Sequence, residues 1–215
     1  MPVPKARKAS RKLILENELN KYNTWERTIR SARSVESRFA DFEQRIRVGN
    51  PKGSMAFAHA QILSTIRETI GSLKGKRVLE IGGNRNFSEY LEKTEHAEVV
   101  DFQGYAEELP KEMQKFNLVI ANRVFEKEGF HPAQKRISAQ QAMNSEFYRR
   151  LLLRNIASKL EKGGFFIYTA SSSPQIFKPQ DAKSTGFKII RFNEPYYALH
   201  SEALKNWKFT VLQRI

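Results

Sequence analysis

Cysteine is absent from this chain of 215 residues, and acidic residues are few relative to basic ones. Without cysteine the protein has no disulfides, no thiolate metal sites and no cysteine nucleophile. The 23 Asp and Glu stand against 37 Lys and Arg, so the formal net charge is +14. A charge of this size attracts polyanions, and nucleic acid is therefore the expected partner class. The alternative is a solvated lysine-rich surface.

Long apolar runs are also missing. No segment has the length and apolar character of a membrane-spanning helix, and residues 1–12 lack the apolar core of a signal peptide. We therefore expect a globular protein without membrane association, in the cytoplasm or, in a eukaryote, the nucleus. The length suits one α/β domain with an appendage.

Two common nucleotide-binding patterns are missing, the GxGxxG fingerprint and the Walker phosphate loop. What is present is a buried-strand pattern at residues 77–81 that carries Glu80, followed by Gly82 and Gly83 and then by a helix-like segment at residues 87–93. Strand, glycine turn and helix are typical of a Rossmann-type unit. The two glycines are also compatible with a plain strand-to-helix turn.

Residues 78–86, VLEIGGNRN, resemble the first motif of the class I S-adenosylmethionine-dependent methyltransferases, V-L-E/D-x-G-x-G-x-G. Gly82 matches the first glycine, while Asn84 and Asn86 replace the second and third. Asn tolerates a positive φ better than other non-glycine residues. Four more matches follow in the order of the family, across residues 71–215: Asp101 after two valines, AEELP at 106–110, FNLVIAN at 116–122 and LEKGGFFIY at 160–168.

The resemblance implies S-adenosylmethionine as cofactor. Alternating strands and helices favour a parallel sheet, in which ligands lie at the carboxyl ends of the strands. An acid about 20 residues after the glycine turn suits a ribose diol, although Asp101 is also compatible with a helix cap or a strand end. The predicted cofactor-binding residues are Glu80, Gly82, Gly83, Asn84, Asp101, Ala106, Glu107 and Asn122.

Two residues are candidates for catalysis. Asn122 would orient the acceptor or the methionyl end of the cofactor. His131 would remove a proton from the acceptor, because histidine titrates near neutral pH. Methyl transfer depends on positioning more than on functional groups, so a base is not always identifiable. No metal site is predicted.

One departure from the family lies after Asp101, where a helix and a further strand usually precede the AEELP-like motif. Here only residues 102–105 separate them. Either an outer strand has been lost with its helix, or residues 97–102 form the later strand and the ribose-binding acid is missing. We favour the first, because a strand that follows the helix should return beside the first strand.

The amino-terminal part is basic and helical in pattern. Residues 1–12 are expected to be a disordered basic arm, residues 13–53 a helical extension whose apolar positions recur every three or four residues, and residues 54–215 the methyltransferase-like domain. The helix would cover the sheet domain, pair with a partner protein or self-associate, or grip a substrate. The predicted nucleic-acid ligands are Lys5, Arg7, Lys8, Arg11, Lys12, Arg27, Arg30 and Arg33.

The predicted fold is thus a Rossmann-like α/β sheet, mostly parallel with an antiparallel closing strand and helices on both faces, plus an amino-terminal helical extension. The predicted function is methyl transfer to RNA or another polyanion-associated substrate. The alternatives are a catalytically inactive module of the same fold that binds nucleic acid or a protein partner, and a methyltransferase for proteins or small molecules.

Overall fold

The computed structural model of the chain describes residues 5–32, 54–82, 85–104, 106–122, 145–170, 177–195 and 208–215. Residue contacts divide the chain into two compact units, Met1–Ser72 and Leu73–Ile215. The boundary therefore differs from the predicted one, because residues 54–72 belong to the amino-terminal unit. None of the helices in these ranges is long and apolar enough to cross a membrane.

The amino-terminal unit contains α1 (Lys5–Ala32) and α2 (Ser54–Thr69), which pack against each other. Leu15 and Tyr22 are buried on α1, and the Tyr22 ring meets His59 of α2 edge-on at a centroid distance of 4.9 Å. Burial lowers the pKa of His59 to about 3, so this imidazole is neutral in the folded protein at neutral pH.

α1 corrects the prediction of a disordered arm, because the helix already begins at Lys5. Arg11 explains part of this difference. Its guanidinium lies 2.8 Å from the carboxylate of Glu68 on α2, and both side chains are largely buried. Arg11, which the sequence assigned to a disordered arm, is thus paired within the amino-terminal unit.

In its described residues, the carboxyl-terminal unit contains a six-stranded sheet and four helical segments. Its elements are β1 (Arg77–Ile81), α3 (Arg85–Lys93), β2 (Glu98–Phe102), a 3₁₀ turn (Ala106–Glu108), β3 (Phe116–Asn122), α4 (Glu146–Lys159), β4 (Leu160–Ala170), α5 (Pro179–Ser184), β5 (Phe187–Pro195) and β6 (Lys208–Arg214).

The strand order is β2-β1-β3-β4-β6-β5. Pairing is parallel from β2 through β4, whereas β6 runs antiparallel to both of its neighbours. This confirms the predicted mostly parallel sheet with an antiparallel closing strand.

Side chains of β1 alternate between two helical layers. Leu79 and Ile81 belong to an apolar cluster that includes Leu152 and Ile156 of α4. Glu80 points the other way and meets Ser88 of α3. Because neighbouring residues of a strand face opposite sides of the sheet, α3 and α4 lie on opposite faces, as predicted.

β2 is an edge strand, and its position in the sheet shows which of the two interpretations of residues 97–102 is correct. It follows α3 and pairs in parallel with β1, in the register Glu80 with Asp101. Residues 103–105 are too few to hold a strand and a helix before the 3₁₀ turn. The outer strand is therefore lost, and Asp101 occupies the position of the predicted ribose-binding acid.

The apolar pattern of residues 142–160 predicts a helix that turns Phe147, Leu151, Leu152, Ile156 and Leu160 inward. α4 differs from this prediction in part of the face that it buries. Leu152, Leu153 and Ile156 are fully buried, whereas 75% of Phe147 and 37% of Leu151 are exposed. Phe147 and Leu151, predicted to point inward, instead form an outer stripe. The helix starts at Glu146 because the hydroxyl of Ser145 accepts a hydrogen bond from the Tyr148 amide.

Candidate functional site

The turn after β1 is fixed to the end of β2. Gly82 has a φ of 61°, a conformation that glycine adopts without steric cost. Its amide donates a hydrogen bond of 2.8 Å to the carbonyl of Phe102. The glycine turn and the carboxyl end of β2 are therefore neighbours, as expected for a ligand site at this edge of a parallel sheet.

Two carboxylates lie side by side at this edge. Glu80 and Asp101 are paired in register on β1 and β2, so their side chains are on the same face of the sheet. Glu80 is fully buried, and Asp101 is half-buried. The structure thus brings together Glu80, Gly82 and Asp101, three of the predicted cofactor-binding residues.

Each acid has a neighbouring donor. The Ser88 hydroxyl donates to Oε2 of Glu80 at 2.5 Å, and the side-chain amide of Gln103 donates to Oδ1 of Asp101. Neither Ser88 nor Gln103 was predicted from the sequence. The signal for Ser88 was present in the strand-turn-helix pattern, because a serine in the first turn of the following helix lies close to the end of the strand.

Asn122 lies at the carboxyl end of β3, next to the end of β1. It is paired in register with Thr169 of β4, whose hydroxyl donates to Oδ1 of Asn122 at 2.7 Å. This contact fixes the amide plane, so that the NH₂ group is the part of Asn122 that can donate to a ligand. The predicted orienting role is compatible with this geometry.

The AEELP-like motif forms the 3₁₀ turn and its exit. Ala106 and Leu109 are buried in the apolar cluster that contains the inner face of α4. Ala106 can therefore contact a ligand only through its backbone. Glu107 lies in the same turn, and at Gly104, just before it, a Cβ would come within 2.6 Å of Cζ of Phe102. A side chain at position 104 would therefore force the Phe102 ring to move.

The other predicted residues belong to the amino-terminal unit or fall outside the described ranges. Gly83, Asn84, His131 and Arg33 are outside the residues that the structure describes. Among the predicted nucleic-acid ligands, Arg11 is corrected, because its ion pair with Glu68 withdraws it from any exposed basic surface. The others are on α1: Lys5, Arg7, Lys8, Lys12, Arg27 and Arg30.

Tyr168 is the buried titratable group at the end of β4. Burial is the main cause that raises its pKa to about 12. Its ring packs against Phe166 and Phe177 at centroid distances of 5.4 and 5.3 Å. A phenol with this pKa and packing stays protonated at neutral pH and supports the core instead of acting as a base.

Solved structures resemble this chain in fold. No family profile and no curated protein sequence matches it. An S-adenosylmethionine-dependent methyltransferase from Clostridium acetobutylicum has a TM-score of 0.51 at 10% identity, over 84% of this chain and 99% of that one. A 1,6-didemethyltoxoflavin-N1-methyltransferase from Burkholderia thailandensis has a TM-score of 0.50 at 14% identity, over 81% and 86%.

This chain has the class I methyltransferase fold. The identity to these structures is too low to carry over a substrate or an activity, so the likeness concerns the fold alone. Within that fold, β1 leads into the Gly82 turn, and Asp101 is the last residue but one of β2. Within the described residues, no group of three His, Cys, Asp or Glu side chains lies close enough to hold a metal ion.

Proposed function

We propose that this protein is a methyltransferase that binds S-adenosylmethionine at the carboxyl ends of β1 and β2. The observation that carries the proposal is the register of Glu80 with Asp101 beside the Gly82 turn. The two solved structures compared above are methyltransferases by name, and the one from Burkholderia thailandensis was solved with S-adenosylhomocysteine bound.

The donor and acceptor groups of this edge fit such a cofactor. The half-buried carboxylate of Asp101 would accept hydrogen bonds from the two ribose hydroxyls. The remainder of the cofactor would be lined by Glu80 and by the turn of Gly82, Gly83 and Asn84. The adenine base would be bordered by Ala106 and Glu107. When bound, the cofactor supplies a methyl group on a positively charged sulfur for in-line displacement.

The chain's own contribution would be positioning. Asn122 would donate its NH₂ group to the acceptor or to the methionyl end of the cofactor, with its orientation fixed by Thr169. His131 would take the acceptor proton. Close placement of the reacting atoms is worth several kcal/mol of the barrier, which suits a site without a strong acid or base.

RNA, or another substrate associated with a polyanion, is the proposed acceptor. The net charge of +14 supports it, as do the basic residues along α1. An inactive module of the same fold is the second candidate, and it is favoured by the asparagines at positions 84 and 86, where the family has glycine. Both candidates predict salt-dependent binding of nucleic acid.

Transfer of a radiolabelled methyl group from S-adenosylmethionine to total RNA tests the proposal. We expect label in RNA with the wild-type protein and a loss of at least about tenfold with Asp101→Asn, since one charged hydrogen-bond acceptor is removed. Glu98→Gln is the matched control, because Glu98 is an exposed acid on the same strand and should leave the rate unchanged.

The other outcomes separate the candidates. Label in protein or small molecules but not in RNA would overturn the RNA assignment and keep the enzyme. RNA binding without label transfer to any acceptor, by a folded protein, would contradict the enzyme and favour the inactive module.

A further inference from the structure

Glu80 is a fully buried carboxylate with a serine hydroxyl as hydrogen-bond donor. Its Oε2 receives the bond of 2.5 Å from Ser88, whose side chain is itself buried. Burying a carboxylate is costly unless hydrogen bonds compensate for the lost water. A hydroxyl that donates to an ionised oxygen provides one of the stronger bonds of this kind.

The position of Ser88 is set by the helix that carries it. α3 begins at Arg85, three residues after Gly82. Three apolar residues of this helix that lie near Ser88 in the sequence, Phe87, Tyr90 and Leu91, are fully buried. These apolar side chains hold the first turns of α3 on the sheet. The Ser88 hydroxyl is therefore fixed in place relative to β1 before any ligand arrives.

The ionisable groups around Glu80 come from the elements packed against it. Asp101 of β2 lies in register with it on the same face of the sheet. Arg85 and Glu89 of α3 form an ion pair with each other at 3.4 Å, and the Arg85 side chain is 85% exposed. On the other neighbouring strand, β3, the residue in register is the apolar Ile120. Ser88 thus supplies a neutral hydrogen-bond donor to Glu80, next to a second acidic residue on the same face of the sheet.

We infer that Ser88 is a positioning residue of the cofactor site: its hydroxyl holds the Glu80 carboxylate oriented toward the edge formed by Gly82 and Asp101. The inference rests on the proposed function, because it assigns Ser88 a role in the same site. Ser88 acts through Glu80 and is not itself a ligand. Its role is to make the acid a preorganised acceptor, so that ligand binding does not have to order it.

Calorimetric titration of the full chain with S-adenosylhomocysteine tests the inference, because this ligand binds without turnover. Ser88→Ala removes the donor, and we expect the Kd to rise on the order of tenfold at neutral pH, as for loss of a hydrogen bond to a charged group. Ser88→Thr keeps the hydroxyl and should restore most of the affinity. Ser158→Ala is the matched control, since that hydroxyl donates to the Asn155 carbonyl at 2.6 Å on an exposed part of α4.

A pH series separates positioning from a purely structural role. A carboxylate that loses its donor accepts a proton at higher pH, so the pH below which Ser88→Ala loses affinity should be higher than for the wild type. A structural role would lower affinity by the same factor at every pH, together with Tm, and that result would overturn the inference. So would an unchanged Kd in Ser88→Ala.

The wild-type titration distinguishes the two levels of the proposal. If the folded wild-type protein does not bind S-adenosylhomocysteine, the proposed function fails and the role of Ser88 fails with it. If the wild type binds and Ser88→Ala binds equally well, only the role of Ser88 is wrong.

Discussion

Asp181 is the residue on which the packing of α4 and α5 depends. Its carboxylate accepts a hydrogen bond of 2.6 Å from Nε of Arg149, and the two side chains are 2% and 4% exposed. It also accepts the Lys178 amide at 2.9 Å, which fixes the start of α5. The pair therefore joins two helices through charges that water does not screen.

Asp181→Asn should destabilise the protein by about 3–5 kcal/mol, because it leaves Arg149 buried without its counter-charge. The free energy of unfolding from urea titration measures the effect. Glu89→Gln is the control: Glu89 pairs with Arg85 and Lys93 on the exposed side of α3, and its loss should cost less than about 1 kcal/mol. Equal effects of the two substitutions would refute the role assigned to the buried pair.

Single residues also show what the sequence does not reveal. Glu80, Gly82 and Asp101 were predictable, because a strand, a glycine turn and an acid about 20 residues later form a local pattern. Arg11 was not, since its partner Glu68 is distant in the sequence and only the packing of α1 on α2 brings them together. The contacts of Gln103 and Asn122 likewise depend on side-chain placement that strand register alone does not give.

α4 is the element in which sequence and structure differ most clearly. Its apolar residues at 147, 151, 152, 153 and 156 form two overlapping stripes, and periodicity does not say which one faces the core. The structure buries 152, 153 and 156. The exposed stripe borders a shallow cavity of about 310 Å³ lined by Glu146, Phe147, Arg150 and Arg154. None of these residues is among the predicted cofactor-binding residues.

Two adjacent leucines of α4 test this orientation. Leu152→Ala should lower the free energy of unfolding by about 2–5 kcal/mol, because a fully buried side chain leaves a cavity. Leu151→Ala, at a position that is 37% exposed, should cost less than about 1 kcal/mol. Urea denaturation of both variants measures the difference. A larger loss for Leu151→Ala would mean that the helix presents its other stripe to the core.

At the scale of the whole molecule, the order of strands and helices was the most predictable property. β1 and β3 are apolar runs, and the helices α3 and α4 that precede β2 and β4 favour parallel pairing. The loss of the outer strand was also inferable, because the residues between Asp101 and the AEELP-like motif are too few for it. The boundary between the two units was less predictable, since an amphipathic helix such as α2 can bury its apolar face in either unit.

The proposed function places S-adenosylmethionine at the edge formed by β1 and β2. Calorimetric titration with S-adenosylhomocysteine, comparing the wild type with Asp101→Ala and with Glu98→Ala as an exposed control on the same strand, tests it most directly. We expect binding by the wild type and by Glu98→Ala, and a loss of at least about tenfold in affinity in Asp101→Ala with an unchanged Tm. A folded wild-type protein that binds neither S-adenosylhomocysteine nor S-adenosylmethionine would contradict it.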